Sequence, residues 1–292
     1  MTLVETVRRF NRSYTQRIGA LEESFLGTGR PLGASRLLFE VGPDGAAVRE
    51  LRERLDLDSG YLTRLLSRLS DDGLVEVLHD PADRRRRIVR LTAVGRTAYR
   101  ELDERSEQKA RGLLEPLTER QRARLDEALG TADLLIRAAT VHLRVVDPVS
   151  DAATAALGEY YAELDRRFPG GFVPDPPQHG ADALRAPGGA FVVATSDGVP
   201  VACGGVRRFD GTTGEIKRMW VASSWRGAGL GTRLLRRLES EALSLGYSRI
   251  VLDTNGALTE AITMYGRAGY REIAPYSQDN PYADAYFEKS LG

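Results

Sequence analysis

The stretch WRGAGLGTRLL, Trp225 to Leu235, limits the fold more than any other. Before it stands a strand-like run, Glu215 to Val221. After it Leu234, Leu235, Leu238, Ala242 and Leu245 recur at helical spacing, up to a C-capping Gly246. A strand that turns through glycines into a helix predicts an α/β unit. Glycines let successive backbone N–H groups converge on one anion, and the helix N-terminus adds its positive end. The loop is expected to hold a phosphate or pyrophosphate through Arg226, Gly227, Ala228, Gly229, Leu230, Gly231 and Thr232. It lacks the Gly-Lys-Ser/Thr ending of a Walker loop, and its Gly227-x-Gly229-x-Gly231 spacing is no dinucleotide fingerprint. A glycine-rich helix start with no ligand is the plainer alternative. Downstream, SRIVLDT reads as a buried strand, 260–268 as a helix and AYFEKSL as a last strand.

None of this describes the first half. The pattern changes from helical to glycine-, proline- and β-branched-rich near Asp147-Pro148, with Ser150 or Asp151 as the next N-cap. A chain of 292 residues accommodates two domains, placed at 1–146 and 147–292. Charge barely separates them: 26 Lys+Arg against 23 Asp+Glu before the boundary, 15 against 18 after it. The single cysteine, Cys203, excludes an internal disulfide and a cysteine zinc site, and reads as a small buried hydrophobe. His79, His142 and His179 lie far apart, so no metal is expected. No apolar run approaches bilayer length and the N-terminus has no signal core, which predicts a cytoplasmic protein without a membrane partner.

The first half predicts helices over 3–25, 33–41, 46–55 and from Ser59, the last carrying Leu62, Leu65, Leu66 and Leu69 on its buried face. Two short helices joined by Asp56-Leu57-Asp58 make a helix-turn-helix. The second presents Ser59, Tyr61, Thr63, Arg64 and Arg68 on its polar face, residues able to reach base edges and phosphates in a major groove. LVEVLHD and IVRLT then form a hairpin with four arginines, Arg84 to Arg87, at its tip, suited to a narrow minor groove. A solvated charge run is the plain alternative. The hairpin's place directly after a helix-turn-helix favours DNA.

With SGYLTRLLSRLSDDGLVEV and DPADRRRRIVRLTAVGR, residues 1–145 resemble the MarR family of winged-helix transcriptional regulators. The resemblance implies double-stranded DNA as partner, read by Ser59, Tyr61, Thr63, Arg64 and Arg68. It implies that Arg84 and Arg85 meet the minor groove or its phosphates, with Asp83 orienting one of them. It also implies a homodimer built by the first helix and two long helices, 92–114 and 118–143, with Leu113, Leu114, Leu117, Leu125, Leu129, Leu134, Leu135 and Ile136 as apolar positions.

Residues 150–292 resemble the GNAT family of N-acetyltransferases. The motif Gln/Arg-x-x-Gly-x-Gly/Ala appears as Arg226-x-x-Gly229-x-Gly231, and EAITMYGRAGY supplies the tyrosine helix, Tyr265, and the pair Gly269-Tyr270. The fold implied is a mainly α winged helix-turn-helix followed by an α/β GNAT domain with a mixed central sheet. The cofactor implied is acetyl-CoA, its pyrophosphate on the loop and its pantetheine arm along Met219-Trp220-Val221. By the same resemblance Glu215 is the base toward an amine acceptor, a small molecule or a protein lysine, and Tyr265 the acid toward the departing thiolate. The resemblance departs at Leu258, where many members carry asparagine; Asn255 is the substitute candidate. A domain that senses acetyl-CoA or a metabolite without turnover is the alternative, and a winged helix that only dimerises an enzyme a third.

Overall fold

The computed structural model describes every residue except Met1, Ala82, Arg84, residues 175–179, Gln278 and Asp279. The chain divides into two compact units, Met1–Arg124 and Leu125–Gly292. The division falls inside a helix, upstream of the 146–147 boundary read from composition.

The first unit contains helices α1 (Leu3–Arg17), α2 (Leu32–Val41), α3 (Val48–Leu55), α4 (Ser59–Asp71) and α5 (Ala93–Leu114). Strands β1 (Ala46–Ala47), β2 (Val75–His79) and β3 (Arg87–Leu91) form a sheet in the order β1-β3-β2. Its core joins Leu37 and Leu38 of α2, Leu51 of α3, the leucine stripe of α4 and Val89 of β3. The helix expected to reach residue 25 stops at Arg17 because Gly19 takes a positive φ of 73°, which breaks the helical ladder. Ala46 and Ala47, read as helical, instead pair with Val89 and Ile88 and close the wing. No residue of α1 is buried.

Helix α6 (Glu119–Thr140) begins in the first unit and runs into the second. It does not continue to residue 143, as its leucines suggested. Leu143–Val146 form strand β4 against β5 (Ala190–Ser196), because β-branched residues beside a sheet edge gain a ladder that a helix end lacks. The helix Asp151–Arg167, α7, follows with Ser150 as N-cap. Then come β6 (Val199–Arg208), β7 (Thr213–Val221), α8 (Leu230–Ser244), β8 (Arg249–Thr254), α9 (Thr259–Arg267), β9 (Arg271–Glu272) and β10 (Ala285–Ser290). The seven strands are ordered β4-β5-β6-β7-β8-β10-β9 and are antiparallel except for β7 with β8, so the sheet is mixed. Alternate residues of β5 serve opposite faces: Val192 and Ala194 pack with α8, Phe191 and Val193 with α7. Among the described residues no helix is long and apolar enough to cross a membrane.

Candidate functional site

The parallel pair is what opens the second unit. Along β7 only Thr213–Ile216 pair with β8; Lys217–Val221 have no ladder on that side. On the other side β6 breaks register beside Gly204, where β7 fits one extra residue and Arg218 takes a positive φ of 56°. The bulge bends β7 away from β8. A wedge opens in the middle of the sheet, with main-chain groups of Met219, Trp220 and Val221 along its edge.

The glycine loop closes one end of this wedge. Gly227 and Gly229 hold φ of 78° and 82°, values that only glycine adopts cheaply, and open space surrounds both. A Cβ on Gly231 would sit 3.0 Å from the Met264 sulfur of α9, so this position is glycine for closeness rather than for φ. No side chain caps α8 at Gly229, and the first amides of any helix lack intrahelical acceptors. Ala228 packs partly against the core and Leu230 is fully buried, so Leu230 can offer a ligand only its backbone.

The guanidinium of Arg226 is already engaged by protein acceptors. Its guanidinium donates to Val221 O at 3.1 Å, to Glu163 Oε1, and to Glu260 Oε1 at 3.4 Å. Trp220 Nε1 donates to the other oxygen of Glu163 at 2.8 Å. Burial alone would raise the pKa of Glu163, but donation by Arg226 and Trp220 outweighs it and holds the carboxyl below its ordinary value. Arg167 donates to Glu260 at 2.8 Å and keeps its pKa at about 2. The network staples the loop to α7 and α9. Glu163 escaped the sequence reading, although a glutamate on the same helical face as Ala156, Tyr160 and Leu164 was its signal.

Two cavities meet in the wedge. One, of about 330 Å³, is lined by Met219, Trp220, Val221, Arg226, Gly227, Gly229, Gly231, Thr232 and Tyr265. The other, of about 600 Å³, holds Glu215 and Asn255. Met219 and Tyr265 line both, and the Tyr265 hydroxyl lies 3.8 Å from the Met219 sulfur. Burial, and then Asp253, pushes the Tyr265 pKa up. Glu215 is 2% exposed. Its carboxylate receives Arg207 Nε at 2.6 Å, Lys217 Nζ at 3.4 Å and the Tyr276 hydroxyl at 3.0 Å. Lys217 also reaches Asp253 at 2.6 Å. Asn255 braces a loop, donating to Tyr282 O at 2.6 Å and accepting from Ala257 N–H at 2.9 Å. Arg207 and Asp253 were not foreseen, since strand pairing brings their side chains to this site.

In the first unit, Asp58 caps α4 by accepting from Tyr61 N–H at 2.8 Å. Ser59, Tyr61, Thr63, Arg64 and Arg68 are all exposed on its outer face. Arg64 lies over the Tyr61 ring at 5.7 Å, while the Thr63 hydroxyl donates back to Ser59 O at 2.7 Å. At the hairpin tip the Asp83 carboxylate accepts from Arg85 N–H at 3.0 Å, so it orders the turn backbone. Arg85 is exposed, whereas Arg86 reaches back to Glu50 at 3.4 Å. Arg84 and His179 lie outside the described residues.

Residues 157–270 match the Acetyltransferase (GNAT) family and residues 28–86 match the MarR family. Over 137 residues the chain is 34% identical to an IAA acetyltransferase of Azospirillum brasilense, covering 46% of this chain and 86% of that protein. Several other curated acetyltransferases are matched over about half of their length or less. Among solved structures, yncA of Salmonella typhimurium, whose structure holds its cofactor acetyl-CoA, is 20% identical over 52% of this chain and 94% of that chain, with a TM-score of 0.41. A transcriptional regulator (MarR family) of Rhodococcus sp. RHA1 is 19% identical over 45% of this chain and 95% of that chain, with a TM-score of 0.38.

Proposed function

This chain belongs to the GNAT acetyltransferase family through its second half and carries a MarR-family domain in its first, and from that premise we propose an acetyl-CoA-dependent N-acetyltransferase joined to a DNA-binding transcriptional regulator. The observation that carries the enzymatic reading is the unpaired half of β7 beside an uncapped, glycine-led helix N-terminus. The two suit an extended pantetheine arm and a pyrophosphate, respectively.

Acetyl-CoA, when bound, supplies an acetyl group activated as a thioester. Amides of Gly227 to Thr232 bind the pyrophosphate. Arg226, held by Glu163 and Glu260, keeps the turn in shape rather than meeting the phosphate. Main-chain groups of Met219 and Val221 align the arm and orient the thioester carbonyl, and the buried walls exclude water. The acceptor enters from the cavity holding Glu215. An alkylammonium has no lone pair, so the amine reacts in its neutral form, its first proton already lost to solvent. As the N–C bond forms the nitrogen turns acidic, and Glu215 accepts a proton from it, directly or through water. The C–S bond breaks, and Tyr265 donates to the departing sulfur.

For the first unit we propose a homodimer on a two-fold DNA site, with α4 in the major groove and the Arg85-bearing tip on the minor groove. Calorimetric titration of acetyl-CoA into the wild type and Gly229→Glu tests the enzymatic half. Binding that the variant loses, followed by thiol release with an amine, upholds it. Binding without any turnover leaves a sensor, and no binding removes the cofactor reading.

A further inference from the structure

The cavity of about 600 Å³ has two unlike walls. One is charged: Glu215 with Arg207 and Lys217, and Lys217 with Asp253, which also accepts from Asn280 at 2.8 Å. The other is aromatic. The ring of Phe172 lies 4.8 Å from that of Tyr282 and 5.7 Å from that of Tyr161, and Phe168 lies 5.7 Å from Tyr282. These rings come from the end of α7, the loop after it and the segment before β10. Main-chain bonds hold them together. Asp165 accepts from Phe172 N–H at 2.9 Å, the Tyr282 hydroxyl from Val173 N–H at 3.1 Å, and Asn280 from Tyr282 N–H at 3.1 Å. The wall is thus formed before any ligand arrives. Yet Tyr161, Phe172 and Tyr282 remain half-buried and face a cavity. Pre-set, half-exposed rings that share a cavity with a few convergent polar groups are the features of a pocket for a flat apolar body.

We infer that the acceptor amine is carried on an aromatic body, a primary arylalkylamine whose ring rests on the Phe172–Tyr282 wall and whose nitrogen faces Glu215 and the junction at Tyr265. This rests on the acetyl-transfer reading above. Charge disfavours a polyamine: the described lining has three cations, Arg207, Lys217 and Arg218, against two carboxylates, Glu215 and Asp253.

The test follows thiol release by the full chain at saturating acetyl-CoA. Phenethylamine, tyramine and tryptamine are compared with butylamine, putrescine, spermidine and a lysine peptide. The aryl amines should exceed butylamine at least about tenfold in kcat/KM. Phe172→Ala should cost them about tenfold through KM, Phe172→Tyr should restore it, and the Kd of acetyl-CoA should hold in both. A preference for the aliphatic amines or the peptide, or equal KM losses for butylamine and phenethylamine in Phe172→Ala, overturns the inference. If no amine turns over, the acetyl-transfer reading fails by itself. Calorimetry of phenethylamine, with and without coenzyme A, then decides: binding lost in Phe172→Ala upholds the wall as a ligand site, and no binding removes it.

Discussion

A phenol sealed from water keeps its proton. Tyr265 is 5% exposed, and burial lifts its pKa far above that of a thiol, about 8.5. Complete proton transfer to a thiolate is then uphill, so in the proposed reaction Tyr265 would act through a hydrogen bond that strengthens as charge grows on sulfur. Tyr265→Phe should lower kcat about a hundredfold and leave the acetyl-CoA Kd within about twofold. The wild-type rate should climb with pH as the amine loses its proton, with no descending limb up to about pH 10. A fall near pH 9 would assign the acid to another group. Cys203 follows the same rule, fully buried with its thiol pKa raised by burial, so the folded protein should resist alkylation at pH 8 until it is unfolded. Tyr265 and the glycines were legible because a local motif carries them. Arg207 and Asp253 were not, because strand pairing is what brings them beside Glu215 and Lys217.

Elements fail to announce themselves when their partners are distant in sequence. Leu143–Val146 looked like a helix end, since β5 lies far downstream and four residues have no decisive period. The βα loop was legible because strand, glycines and amphipathic helix are contiguous. Its attachment to α7 and α9 through Glu163 and Glu260 was not. Glu260 has its folded pKa depressed from 4.5 to about 2, so its pairing with Arg167 contributes fully above the unfolded value and is lost as pH falls through about 2. Because the carboxylate is half exposed, Glu260→Gln should cost at most about 1 kcal/mol at pH 6, a difference that vanishes toward pH 2 in urea unfolding. On the wing, Arg85→Ala should weaken DNA binding at every sequence and reduce the salt slope by about one. Arg86→Ala should do less, because Glu50 already holds Arg86 back.

At the scale of the molecule the unpartnered surface is α1. Leu3, Val7, Phe10 and Tyr14 share one face, and Phe10 remains 53% exposed. A helix of 15 residues is marginal alone in water and needs its apolar stripe covered. Leu129, Leu135 and Ile136 of α6 are exposed as well. In the proposed homodimer a second copy of the chain covers the α1 face, and a two-fold pair would present two α4 helices to successive turns of a DNA groove. Phe10→Glu should therefore shift sedimentation equilibrium from dimer to monomer. It should also weaken binding to a two-half-site DNA far more than to a single half-site, because the second contact then ceases to be intramolecular. Acetyl-CoA affinity should survive, since the wedge between β7 and β8 lies wholly within the second unit. A variant that stays dimeric would place the dimer contact elsewhere and leave α1 for a different partner.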